Sequence, residues 1–249
     1  MPRIKCLVSY DGSKFYGFQV QDKQRTIQGE IQKALHNITR ENIIIHASGR
    51  TDAKVHAKEQ VFHFDTAKEL PDERWKMAMN HFLPNDIYIY DAQQVSEEFH
   101  SRYSAVGKEY RYYLNTKEYS VFDTNYIYQY NRPLDTALMN EAAKLFIGEH
   151  DFASYCVSDQ HGTTVRTIYQ FDVLEKDGIV EFIVIGNGFK RYMVRHLVGA
   201  LIQIGAHRFT IEEAKKRLES CGEKHILFKA KPQGLYLCKV NYEENENDA

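Results

Sequence analysis

An α+β protein of two similarly sized units is expected from three observations. Short alternating or β-branched runs interleave with amphipathic helical stretches. The first hundred residues order these elements as β-α-β-β-α-β, the split βαβ or ferredoxin-like unit, in which an antiparallel sheet carries helices on one face. A chain of 249 residues accommodates one large domain or two of about 120 residues each.

In the first half, the runs from Ile4 to Tyr10, Ile43 to Ala47, Gln60 to Phe64 and Asp86 to Tyr90 read as strands. The stretch from Thr26 to Thr39 sets Ile27, Ile31, Ala34, Leu35 and Ile38 on one helical face, and Pro71 is placed to begin a second helix running to Phe82. In the second half, Lys108 to Leu114 and Tyr126 to Tyr130 read as strands, and Asp135 to Ile147 as a helix with Leu138, Ala142 and Leu145 inward. Val165 to Leu174 and Ile179 to Ile185 form a hairpin around an Asp177–Gly178 turn. An apolar helix covers Tyr192 to Gly205, a short one follows Thr210 with Glu213 at the capping-box position, and Leu235 to Val240 is the closing strand. The boundary falls near Ser101 to Gly107, which gives an N-terminal half of residues 1–104, a C-terminal half of 105–242, and an acidic, frayed tail of 243–249.

Composition narrows the class. Hydrophobic residues make 43% and charged residues 27% of the chain, against disorder, collagen or a disulfide scaffold. Cys6, Cys156, Cys221 and Cys238 form no CxxC pair, against a zinc ribbon or a thioredoxin-like centre. No run approaches the roughly 18 apolar residues of a membrane span, and Met1 to Tyr10 lacks the apolar core of a signal peptide, so a cytoplasmic protein is expected. The net charge of −2 conceals segregation: residues 1–58 carry +5 and 186–239 carry +7, while 59–185 carry −10 and the end from Val240 carries −4. If the two basic segments meet, they offer phosphates a positive surface; a fluctuation among solvated faces is the plainer reading. Seventeen Tyr and 14 Phe are core and strand residues first, although exposed ones beside Arg or Lys suit base stacking.

The densest polar cluster is Ser48–His56, containing Arg50, Asp52 and Lys54 in a loop between two strands. Its residues alone allow either a turn held by an Arg–Asp pair or a functional loop. Gly186–Asn187–Gly188 lacks a third glycine and reads as a tight turn, the histidines show no ligand spacing, and nothing calls for a cofactor. His56, His63 and His196 are read as structural or hydrogen-bonding residues. Period 2 puts Lys108, Tyr110 and Tyr112 on one strand face and Arg111 on the other. Arg195, at the start of an apolar helix, opposes the dipole and asks for a partner, for which a carboxylate is the obvious candidate.

Eight collinear segments carry a resemblance: YDGSKFYGFQ (10–19), SGRTDAKVHA (48–57), FHSRYSA (99–105), KEYRY (108–112), VRTI (165–168), GNGF (186–189), MVRHLVG (193–199) and GLYL (234–237). With these the chain resembles the TruA family of tRNA pseudouridine synthases. The resemblance implies two ferredoxin-like (RRM-like) halves around a central cleft, a homodimer, tRNA as partner, and no cofactor or metal. The implied reaction isomerises uridine 38, 39 or 40 of the anticodon arm. By motif position Asp52 would be the nucleophile, Arg195 its counter-charge, Arg50 the residue filling the stack vacated by a flipped base, and Tyr110 and Leu235 the walls against that base. Lys54 stands where the family usually has glycine, and Lys190 and Arg191 replace apolar or aromatic residues, as Lys231 replaces a proline. Lys54 also motivates an alternative, a non-catalytic tRNA-binding or folding factor on the same scaffold. An Asp-dependent hydrolase is poorer, since spacing reveals no second acid/base carboxylate.

Overall fold

The computed structural model describes residues 1–157 and 162–243. They fall into two units, one of Met1–Val106 joined by the chain from Tyr236, the other of Gly107–Leu235.

The first unit contains β1 (Arg3–Tyr10), α1 (Ile27–Thr39), β2 (His46–Ala47), β3 (His56–Asp65), α2 (Asp72–Phe82) and β4 (Ile87–Val95). Its strands are ordered β4-β1-β3 with β2 on the far edge of β3, all antiparallel, as the split βαβ reading requires. Alternation along β1 buries Ile4, Cys6, Val8 and Tyr10. The α1 boundaries follow local chemistry: the Thr26 side chain accepts the Gly29 amide, and Arg40 ends the helix at φ 66°. Pro71 is the residue before α2 rather than its first turn, and Trp75 and Met79 face inward, Trp75 edge-on to Phe64 at 5.3 Å and Met79 Sδ 4.0 Å from Cys6 Sγ. Burying side chains of this size contributes about 1.5–3 kcal/mol each. The run Ile43–Ala47 pairs only at His46–Ala47; Ile43 and Ile45 are buried without joining the ladder.

The second unit contains β5 (Ala105–Asn115, from Gly107), β6 (Tyr128–Gln129), α3 (Thr136–Ala143), β7 (Gly148–Asp151), β8 (Val165–Lys176), β9 (Ile179–Gly186), α4 (Met193–Gly205) and α5 (Ile211–Glu219). Here the order is β5-β9-β8-β7, antiparallel, with β6 beside β5. Asp177 and Gly178, at φ 53° and 76°, supply the two left-handed positions of the β8–β9 turn. Thr210 and Glu213 form the expected capping box of α5. In α4 every residue but His196 and Gln203 is buried. The expected helix over Asp135–Ile147 is α3 followed by a tighter turn at Lys144–Phe146, and its buried set is Met139, Ala142, Ala143 and Phe146, the i, i+3, i+4, i+7 face adjoining the expected one, with Leu138 and Leu145 only half-buried.

The last strand, β10 (Leu235–Tyr242), pairs in parallel with β3, Tyr236 opposite His56 and Leu237 opposite Ala57. That ladder draws residues from Tyr236 into the first unit, whereas the sequence reading assigns them to the second half. The tail at 243–249 lies outside the described residues except for Glu243. Among the described residues no helix is long and apolar enough to cross a membrane.

Candidate active site

In the first unit, the loop between β2 and β3 is fixed by the segment that follows β1. Tyr10 Oη and Thr51 Oγ1 share a buried hydrogen bond of 2.8 Å. The Phe18 amide donates to the Thr51 carbonyl at 3.0 Å and the Lys54 amide to the Phe15 carbonyl at 3.2 Å. Ser48 donates to the Val61 carbonyl at 2.8 Å and the Gln60 side chain to the Gly49 carbonyl at 2.9 Å, tying the loop back to β3. The Gly12 amide donates to His56 Nδ1 at 3.1 Å. Two sequence segments about forty positions apart, Tyr10–Gln19 and Ser48–Ala57, are therefore one structural element. Both glycines of the first segment are dictated by this contact. A Cβ on Gly12 would lie 2.0 Å from the Val55 carbonyl oxygen, and Gly17, at φ 97°, would set one 3.0 Å from the Thr51 oxygen.

Asp52 projects from this braced loop as a half-buried carboxylate, in a turn closed by the Val55 amide donating to its carbonyl at 3.1 Å. Arg50 is exposed, with Nη1 donating to Gln19 Oε1 at 2.8 Å, so it too bridges the two segments. Lys54 has φ 65°, the left-handed conformation in which glycine is free of penalty. The loop thus follows the path a glycine would allow, with lysine carrying the strain.

The other three predicted residues belong to the second unit. Tyr110 on β5 is buried and lies edge-on to Phe189 at 5.3 Å. Tyr110 and Tyr112 share the buried face as period 2 requires, and Arg111, on the other, is held between Glu109 at 2.6 Å and Glu181 at 2.9 Å. Arg195 is buried in the first turn of α4; its Nε donates to the Ala230 carbonyl at 2.9 Å, and its own carbonyl accepts the Ala230 amide at the same distance. Leu235 is buried behind Gly234, where a Cβ would meet the Tyr113 carbonyl at 2.5 Å. The Tyr112 hydroxyl donates to the Lys231 carbonyl at 2.8 Å. The strand of Tyr110, the helix of Arg195 and Leu235 itself are thus joined through one stretch, 230–235. Gly199 serves the same packing, since a Cβ there would lie 2.7 Å from the Phe228 oxygen.

Remaining sequence candidates are structural. Asn187 exchanges hydrogen bonds of 3.0 Å with the Thr167 backbone, which makes the GNG segment a turn. Three histidines lie together without ligand geometry: the rings of His46 and His100 lie 5.1 and 4.7 Å from that of His63. They are not a ligand set; among the described residues no three His, Cys, Asp or Glu side chains are arranged to hold a metal ion. His63 Nδ1 accepts the Ser101 amide at 3.2 Å, and burial, then His100, Arg3 and His46, lowers its pKa to about 4. The braces Tyr10, Thr51 and Gln60 escape sequence reasoning because their partners are remote in sequence. Tyr192 and Lys229 escape it for the same reason.

The family model described as tRNA pseudouridine synthase matches residues 7–104 and 142–243. A protein of Oceanobacillus iheyensis named tRNA pseudouridine synthase A is 44% identical over 252 residues, covering 100% of both chains. One of the same name from a Geobacillus species is 44% identical over 97% of this chain and 98% of its own. Another, from Staphylococcus aureus, is 41% identical over 98% of this chain and 93% of its own.

Proposed function

Because the chain belongs to the tRNA pseudouridine synthase family, we propose that it converts uridine to pseudouridine at positions 38, 39 and/or 40 in the anticodon stem-loop of tRNA. The observation that carries this reading is Asp52, a half-buried carboxylate on a loop fixed from both sides by Tyr10, Phe15, Phe18 and Gln60. A nucleophile must hold its geometry against the reacting carbon, and a braced loop supplies that.

In this reading the target nucleotide leaves the stack, at a cost of a few kcal/mol. Arg50, exposed on the same loop, fills the gap. Tyr110 and Leu235 pack against the uracil, and Arg195 balances and orients the Asp52 carboxylate. The ionised Asp52 promotes cleavage of the N1–C1′ bond, the uracil turns, and C5 bonds to C1′. The proton on C5 is lost and N1 ends protonated, so substrate and product are isomers and no co-reactant is consumed. A homodimer is part of the proposal, and a solution mass twice the chain's 29.1 kDa would support it.

The test uses a tRNA transcript tritiated at uridine C5. The wild-type protein is expected to release label, and Asp52→Ala to abolish release while tRNA binding stays within a few-fold. Full release by that variant overturns the role given to Asp52. Mapping pseudouridine in tRNA from cells lacking the protein identifies the target position.

A further inference from the structure

Tyr192, immediately before α4, is a bulky residue held in the left-handed region at φ 63°. Its ring gathers three cations: Lys229 Nζ lies 4.3 Å from the ring centroid, and the guanidinium carbons of Arg191 and Arg195 lie 4.8 and 5.4 Å away. Arg191 Nη2 also donates to the Tyr192 hydroxyl at 2.9 Å. Arg191 and Lys229 are exposed, and among the described residues neither has an ion-pair partner. Cations on an ordinary solvated face spread apart. Here Arg191 and Lys229 share one ring, whose face attracts both and holds them side by side.

The helix end adds to this field. The first turn of α4 contains no acidic residue, and the Tyr192 side chain does not cap it, so the positive end of the dipole points into the same cluster. His196, one turn on, is lowered in pKa by burial first; the carbonyl of Phe228 opposes this, while Lys229, Arg195 and His225 add to it. Lys229 and Arg195, the charged side chains acting on that imidazole, are both cations. The arrangement calls for an anion.

We propose that Arg191, Lys229 and the Tyr192 ring form a phosphate-binding subsite that holds one backbone phosphodiester of the RNA substrate. The Arg191 fork contacts two phosphate oxygens, Lys229 acts as a point charge beside it, and the ring keeps both side chains in place. The proposal rests on the reading of this protein as a tRNA-modifying enzyme. It concerns positioning, since neither side chain is assigned contact with the reacting atoms.

The experiment measures Kd for an unmodified tRNA transcript across a range of KCl concentrations. Each lost phosphate contact makes the slope of log K against log salt shallower by about 0.7–0.9. The double variant Arg191→Gln/Lys229→Gln, which loses that one phosphate, is expected to flatten it by about 0.7–0.9 and to raise Kd about tenfold or more at low salt. Under turnover the effect falls mainly on KM rather than kcat. Tyr192→Leu is expected to raise Kd with little change of slope, because the charges remain but are no longer gathered. Lys215→Gln, on the exposed face of α5, controls for loss of a surface charge. An unchanged slope and a Kd within twofold for the double variant overturn the subsite. Tritium release by the wild-type protein is scored separately: release with an unchanged slope defeats the subsite alone, whereas no release with a flattened slope defeats the enzymatic reading and leaves an RNA-binding subsite.

Discussion

Replacing Gly12 with alanine probes the coupling between the segment after β1 and the loop that carries Asp52. The added Cβ would stand 2.0 Å from the Val55 carbonyl oxygen and 2.6 Å from its carbon, both backbone atoms. To restore even a tight contact of about 3 Å, the two segments must part by roughly 1 Å. Val55 closes the turn on Asp52 with its amide, so the displacement passes to the carboxylate. Overpacking of this kind costs about 1–3 kcal/mol in stability, and a 1 Å misplacement of a reacting group costs about a hundredfold in rate. Gly12→Ala is therefore expected to fold, to bind tRNA within a few-fold of wild type, and to release tritium about a hundred times more slowly at saturating tRNA. A rate within threefold of wild type would show that the loop does not depend on this brace.

Two further outcomes follow from the same geometry. Lys54→Gly removes the left-handed strain of about 1–2 kcal/mol while adding about 0.5–1 kcal/mol of backbone entropy cost. A rise in Tm of a few degrees is expected, and a fall would contradict the φ of 65° as the source of strain. The second concerns pH. Between the unfolded histidine value near 6.5 and the folded value of about 4 for His63, the unfolded chain binds a proton that the folded chain refuses. Stability should be full above pH 6.5 and decline as pH falls toward 4, by up to roughly 3 kcal/mol. Urea titrations at several pH values check this, and His63→Gln should flatten the decline; an unaltered slope in that variant would assign the effect elsewhere.

Legibility of the fold tracks how local its causes are. The start of α1, the capping box of α5 and the Asp177–Gly178 turn are readable because Thr26, Thr210 and the glycine act on residues within four positions. The inward face of α3 is only partly so, since Leu138–Ala142–Leu145 and Met139–Ala142–Ala143–Phe146 are overlapping apolar faces of one helix, and packing in the second unit selects the latter. The short strand Gly148–Asp151 has no β-prone residues to announce it; its ladder with Val165–Ile168 makes it a strand. At the candidate site, the motifs mark Asp52, Arg50, Tyr110, Arg195 and Leu235, but not what fixes them. Thr51 meets Tyr10 and Arg195 meets Ala230 across 41 and 35 positions, distances over which no periodicity carries information. The same limit hid the ring of Tyr192 and its cation from 37 positions downstream.

The pairing of β10 with β3 sets an order on the protein's birth. The first unit lacks a strand until Tyr236 and Leu237 reach His56 and Ala57, and the His56 ring stacks on Tyr236 at 4.6 Å. The whole second unit must therefore be synthesised before the unit bearing the Asp52 loop can close. A nascent or truncated chain ending before Tyr236 would expose part of the β3 edge, an invitation to pair with other chains. An enzyme whose substrate is itself an agent of translation would thus complete the unit bearing Asp52 only after its second unit has been translated.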